Sequence, residues 1–166
     1  MKKLLGFLLG ILLMTGTVAF AGEPLTLLPL GSLPEPQMGL KATATTPHSI
    51  VFTFTASTST YTGLGYNFYF GTTSGGESAT PVNSSLLTSI CTSGACTATF
   101  YASGATGGQG TSALIVPLNT VYATVEACVP YGSSTVCSAP SNEVSCTIPL
   151  ASSDITPPAS LAGVAH

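Results

Sequence analysis

From Val121 to Val129 every second residue is apolar: Val121, Ala123, Val125, Ala127 and Val129 alternate with Tyr122, Thr124, Glu126 and Cys128. A period of two marks an extended strand with one face on a core and the other toward water, because successive side chains point to opposite faces. The other register would bury Glu126, so Val121 is expected inward and Tyr122 outward. The same alternation places Ile50, Phe52 and Phe54 together in residues 49–56, and Tyr66, Phe68 and Phe70 together in residues 65–71. Further strands are expected over 38–44, 85–90, 97–102, 112–116 and 135–148, with Gly, Pro, Ser and Asn clusters between them. No segment keeps helical spacing for long. The expected fold class is all-β, an immunoglobulin-like two-sheet sandwich of about seven strands.

The first residues point to export. Lys2 and Lys3 precede the apolar run LLGFLLGILLM, and Ala19-Phe20-Ala21 forms a small-x-small cleavage site, so residues 1–21 read as a signal peptide. Residues 22–33 are a proline-containing lead-in, 34–149 the domain, and 150–166 a flexible tail. The expected location is secreted, extracellular or at the cell surface, with the periplasm as the alternative, and without a membrane span once the signal is removed.

Beyond that signal the only basic residue is Lys41, against Glu23, Glu35, Glu77, Glu126, Glu143 and Asp154. Such a surface has no basic patch with which to neutralise phosphates, which argues against nucleic acid and anionic lipid as partners. Few charges also leave little repulsion to oppose self-association.

The run PEPQMGLKATATTPHSIVFTFTAS, the segment GYNFYFGTTSGG, the stretch PLNTVYATVEACVPYG and the following CSAPSNEV together resemble a bacterial fibronectin type III domain, covering residues 34–149. The resemblance implies a seven-stranded sandwich, here with an insertion between Glu77 and Thr111, before the fifth strand. The chain departs from the family in having no tryptophan, with Phe54 where the family buries one. It departs again at the corner tyrosine, because the alternation turns Tyr122 outward. A bulge near Leu118 would restore the corner arrangement.

Five cysteines in an exported chain argue for disulfides with one thiol left over. Cys128 and Cys137 lie on consecutive strands joined by a short turn, and Cys91 and Cys96 bracket a glycine-containing loop; these are the expected pairs. Cys146 is expected unpaired, as a buried thiol behaving like a small apolar residue. Pairing of Cys128 with Cys146 is the competing scheme.

Groups suited to catalysis are scarce. His48 and His166 have no sequence partners that suggest a triad and read as solvated histidines, and Glu77, Glu126 and Glu143 fall in separate segments. Cys91 and Cys96 make at most half a zinc site. GATGGQG lacks the ending of a phosphate loop and reads as a flexible hairpin tip, while Asn83-Ser84-Ser85 matches a glycosylation sequon. No enzyme activity, metal or cofactor is expected.

The outward residues Asn67, Tyr69, Tyr122, Thr124 and Glu126, with Tyr131 at the turn, suit contact with protein or carbohydrate, since tyrosine carries apolar area and a polar tip. Tyr69, Tyr122 and Tyr131 are the candidate binding residues. The expected function is a non-catalytic binding or adhesion module at the cell envelope. A self-assembling subunit of a surface layer is the alternative, motivated by the low charge, the apolar lead-in and the tail.

Overall fold

The computed structural model describes residues 39–45 and 48–155. The signal peptide, the lead-in, His166 and most of the tail lie outside the described residues. Two sheets face one another. One holds β1 (Lys41–Thr45), β2 (Ser49–Thr55), β5 (Ala95–Ala102) and β4 (Cys91–Thr92) in that order, with β6 (Gly110–Ser112) also on β5. The other holds β3 (Gly65–Gly71), β7 (Thr120–Tyr131) and β8 (Ser134–Cys137), with β9 (Val144–Thr147) also on β7.

The alternation decides what lies between them. Ile50, Phe52 and Phe54 from β2, Tyr66, Phe68 and Phe70 from β3, Phe100 from β5 and Val121, Ala123, Val125 and Ala127 from β7 meet in one core. Phe52 sits at its centre, with ring centroids 5.2, 5.5 and 6.0 Å from Phe68, Phe70 and Phe100. Phe54 is buried against Tyr66 at 5.0 Å and Phe68 at 5.9 Å, so several interlocking rings fill the volume without tryptophan. Tyr66 keeps its hydroxyl satisfied by accepting the Ser57 N–H at 3.0 Å.

Several elements differ from the sequence reading. Residues 85–90 form no strand and pair with β3 through a single bridge, Tyr66 to Leu87. The expected strand over 112–116 ends at Ser112, and the one over 135–148 is two pieces, β8 and β9. The break has a cause in the sequence Ser138-Ala139-Pro140-Ser141, since Pro140 has no N–H with which to continue the ladder. Ser138 and Ser141 bridge the gap. Their N–H groups donate to the Ala127 and Val125 carbonyls, while their hydroxyls accept the Ala127 and Val125 N–H groups at 3.1 and 3.0 Å.

GATGGQG is not a hairpin tip. It carries the chain back so that β6 runs parallel to β5, and Gln109 is pinned to Thr99, donating its N–H to the Thr99 carbonyl and accepting the Thr99 N–H through Oε1. The edge of β3 is closed by a comparable device. Asn83 accepts the Phe68 N–H through Oδ1 at 2.8 Å, and its Nδ2 donates to the Tyr66 and Ser85 carbonyls at 3.1 and 2.9 Å. Gly65 and Gly71 bracket β3 because the covering segment passes so close: a Cβ would lie 2.6 Å from Leu86 Cγ at Gly65 and 2.5 Å from the Gly76 carbonyl oxygen at Gly71. Asn142 ties the two sheets together at β1, accepting the Leu40 N–H and donating to its carbonyl, both at 3.1 Å.

Candidate functional site

The outer face of the β3–β7 pair is a polar surface set by register. Asn67 lies opposite Glu126, Tyr69 opposite Thr124, and Gly71 opposite Tyr122. Tyr69 and Tyr122 are therefore diagonal neighbours on one face, within reach of long side chains. Both are half-buried, and Val121 on the reverse face is buried in the core. Leu118 does adopt a left-handed φ of 63°, but it precedes β7 and leaves Tyr122 facing out. Tyr131 is at the far end of β7, opposite Ser134 across the β7–β8 turn, and does not join the other two tyrosines.

Over this face opens a cleft of about 530 Å³. Tyr69, Thr124 and Glu126 form its floor. The turn after β3 supplies one wall through Glu77, Ser78 and Ala79, and the β8–β9 connection supplies the other through Pro140, Ser141 and Glu143. The serine-proline interruption of the last strand thus creates a wall of the cleft: a continuous strand would lie flat along β7.

The Tyr69 hydroxyl donates to Glu126 Oε2 at 3.0 Å. Burial first, and then the hydrogen bond to Glu126 and its charge, push the Tyr69 phenol above its ordinary value, so it stays a neutral donor. Glu143 crosses between the walls: its Oε1 accepts the Ser74 hydroxyl at 2.8 Å and its Oε2 accepts the Gly75 N–H at 2.6 Å. The Gly75 N–H and then the Ser74 hydroxyl hold Glu143 below the usual carboxylate range, whereas burial pushes Glu77 up. The convergence of Glu77, Glu126 and Glu143 escaped the sequence, where nothing in their spacing relates them.

Both expected disulfides are present, Cys91–Cys96 and Cys128–Cys137, each joining residues directly opposite across a hairpin. Cys146 is free and half-buried. It lies opposite Val121 on β9, well along β7 from Cys128, which removes the competing pair. Cys128 and Cys137 stand close to Glu126, but their sulfurs are bonded to each other, so this trio offers a metal one carboxylate only.

His48 is not solvated as expected: its Nε2 lies 2.8 Å from Asp154 Oδ2, an ion pair when the ring is protonated. The same Asp154 oxygen accepts the Ala151 N–H, which ties the short turn Ser152–Asp154 to the start of β2. Asn83 is buried, its amide committed to β3, so the sequon is not presented in the folded protein. Among the described residues no helix is long and apolar enough to cross a membrane.

A scan against protein-family models finds no matching family, and a search of curated proteins finds no match either.

Proposed function

We propose that this chain is a secreted, non-catalytic binding or adhesion module of the fibronectin type III kind, making protein or carbohydrate contacts at the cell envelope. The observation that carries the reading is the cleft on the outer face of β3 and β7, where the Tyr69 ring, a fixed Tyr69–Glu126 hydrogen bond and the Thr124 hydroxyl share one floor between two walls. A concave site with an aromatic surface and a few fixed polar groups is the usual form of a recognition site. The family reading is supported by the sheet composition, β1, β2 and β5 against β3, β7 and the interrupted β8–β9 strand. Export is supported by the two disulfides, which form and persist in oxidising compartments.

The test presents labelled protein to arrays of oligosaccharides and peptides. Wild-type protein is expected to retain a subset that Tyr69→Ser and Tyr69→Ser/Tyr122→Ser lose with the fold intact. Retention of the same subset by both variants would end the reading.

One observation favours the second reading, self-assembly. The large apolar side chains exposed among the described residues, Val116, Leu118, Leu150 and Ile155, all lie in the segments before β7 and after β9, at one end of the sandwich. Leu118 and Leu150 flank one contact, since the Leu118 N–H donates to the Ile148 carbonyl at 2.9 Å. Sedimentation over a concentration series tests it. Assembly weakened by Leu118→Ser supports this reading, and a concentration-independent monomer removes it.

A further inference from the structure

Glu143 is the strap between the walls of the cleft, through its two bonds to Ser74 and Gly75. Glu77 follows Gly75 in the same turn, and its Oε1 is enclosed without a hydrogen-bond donor. Glu77 and Glu143 line the same cleft and each acts on the other's ionisation; two neighbouring carboxylates repel when both are ionised, whereas one proton between them makes a hydrogen bond. The surroundings decide where that proton stays. Ser74 and Gly75 stabilise the anion of Glu143, and burial disfavours the anion of Glu77.

We propose that Glu77 and Glu143 form a proton-sharing clamp that ties the turn after β3 to the β8–β9 connection in mild acid and slackens as the pH rises, so that the opening of the cleft follows pH. With Glu77 protonated and Glu143 ionised, Glu77 donates to Glu143 while Glu143 holds Ser74 and Gly75. When Glu77 also loses its proton, the added negative charge pushes the turn away from Glu143. In strong acid Glu143 gains a proton and accepts less well from Gly75. The clamp is therefore tightest between the lowered Glu143 value and the raised Glu77 value.

The other titratable groups facing the pair are Tyr69 on β3 and Glu126 on β7, already bonded to one another. Lys41 on β1 makes no ion pair among the described residues that would neutralise Glu143. The inference rests on reading the cleft as the binding surface, yet its test needs no ligand.

Carboxyl carbon shifts of Glu77 and Glu143, and hydrogen exchange of the Gly75 amide corrected for its intrinsic pH dependence, are followed across the carboxylate range in the whole protein. The two glutamates are expected to titrate in separate steps, Glu77 last, with a severalfold loss of Gly75 protection as Glu77 ionises. Glu77→Gln, which keeps a donor and cannot ionise, is expected to abolish that loss. Independent titration of both glutamates at ordinary values overturns the proposal, as does an unchanged pH course at Gly75 in Glu77→Gln. Should the variant fail to fold, the wild-type carboxyl titration alone decides. A working clamp in a protein whose array binding ignores Tyr69 would sink the binding reading and leave the clamp standing.

Discussion

The side chain of Asn83 holds the main chain of Phe68 where a neighbouring strand would otherwise lie, with Oδ1 accepting the Phe68 N–H at 2.8 Å inside the protein. Gln109 does the same for Thr99, Asn142 for Leu40, and the Ser138 and Ser141 hydroxyls for Ala127 and Val125. A sheet edge left open invites pairing with another chain. In this protein uncharged polar side chains close those edges, which gives the low-charge, Ser-rich sequence a structural role.

Removing such a side chain leaves buried main-chain groups unsatisfied. Asn83→Leu is expected to destabilise the fold by about 1–3 kcal/mol, the penalty for an orphaned buried polar group. Urea unfolding measures it, and exchange of the Phe68 amide should accelerate more than that of the Val125 amide. Equal acceleration at both would mean that Asn83 acts only through global stability.

The facing of β7 is tested by a pair of substitutions. Val121→Ser places a hydroxyl in the core, where Val121 is 1% exposed, and should cost about 1–3 kcal/mol. Tyr122→Ser, on the opposite face, should stay within about 1 kcal/mol of wild type. A larger loss at Tyr122 would contradict the register.

The two disulfides close hairpins with sequence separations of only 5 and 9. Short loops lose little entropy on closure, so Cys128→Ser/Cys137→Ser should lower stability by about 2–3 kcal/mol, within the usual range for a native bridge. Cys146→Ser should leave the disulfide pattern unchanged by non-reducing peptide mapping, and a linked Cys91–Cys128 peptide would contradict the scheme.

The Tyr69 phenol should ionise above the ordinary tyrosine value, because burial and then the hydrogen bond to Glu126 disfavour its anion. Its folded value is raised above 10.0, so the stabilisation is present below the unfolded value and is lost as the pH climbs through the folded one. Ultraviolet titration reads this, and Glu126→Gln should move the Tyr69 step downward while burial keeps part of the shift. No movement would show that Glu126 is not the acceptor.

Much of the fold was legible because β2, β3 and β7 alternate cleanly: the inward placement of Phe52, Phe68 and Val121, the outward Tyr69 and Tyr122, and both disulfides follow from period and spacing. What was not legible depends on side chains acting as main chain. Residues 85–90 carry apolar residues and read as a strand, yet Asn83 satisfies the edge of β3 and leaves them irregular. The break in the last strand was foreshadowed by Pro140, but the roles of Ser138 and Ser141 needed the position of β7. His48 and Asp154 are 106 residues apart, and no local pattern joins them. The cleft was half visible: its floor followed from the strand register, while its walls come from a turn and an interruption that alternation does not describe.

The most direct test of the central claim, that the outer face of β3 and β7 is the binding surface, is amide chemical-shift mapping of the whole protein. The probes are the oligosaccharides and peptides retained on the arrays. The account predicts shifts concentrated at Tyr69, Thr124, Glu126 and Ser141, and their loss in Tyr69→Ser. Shifts centred instead on Leu118 and Leu150, or on the face opposite the cleft, would contradict it.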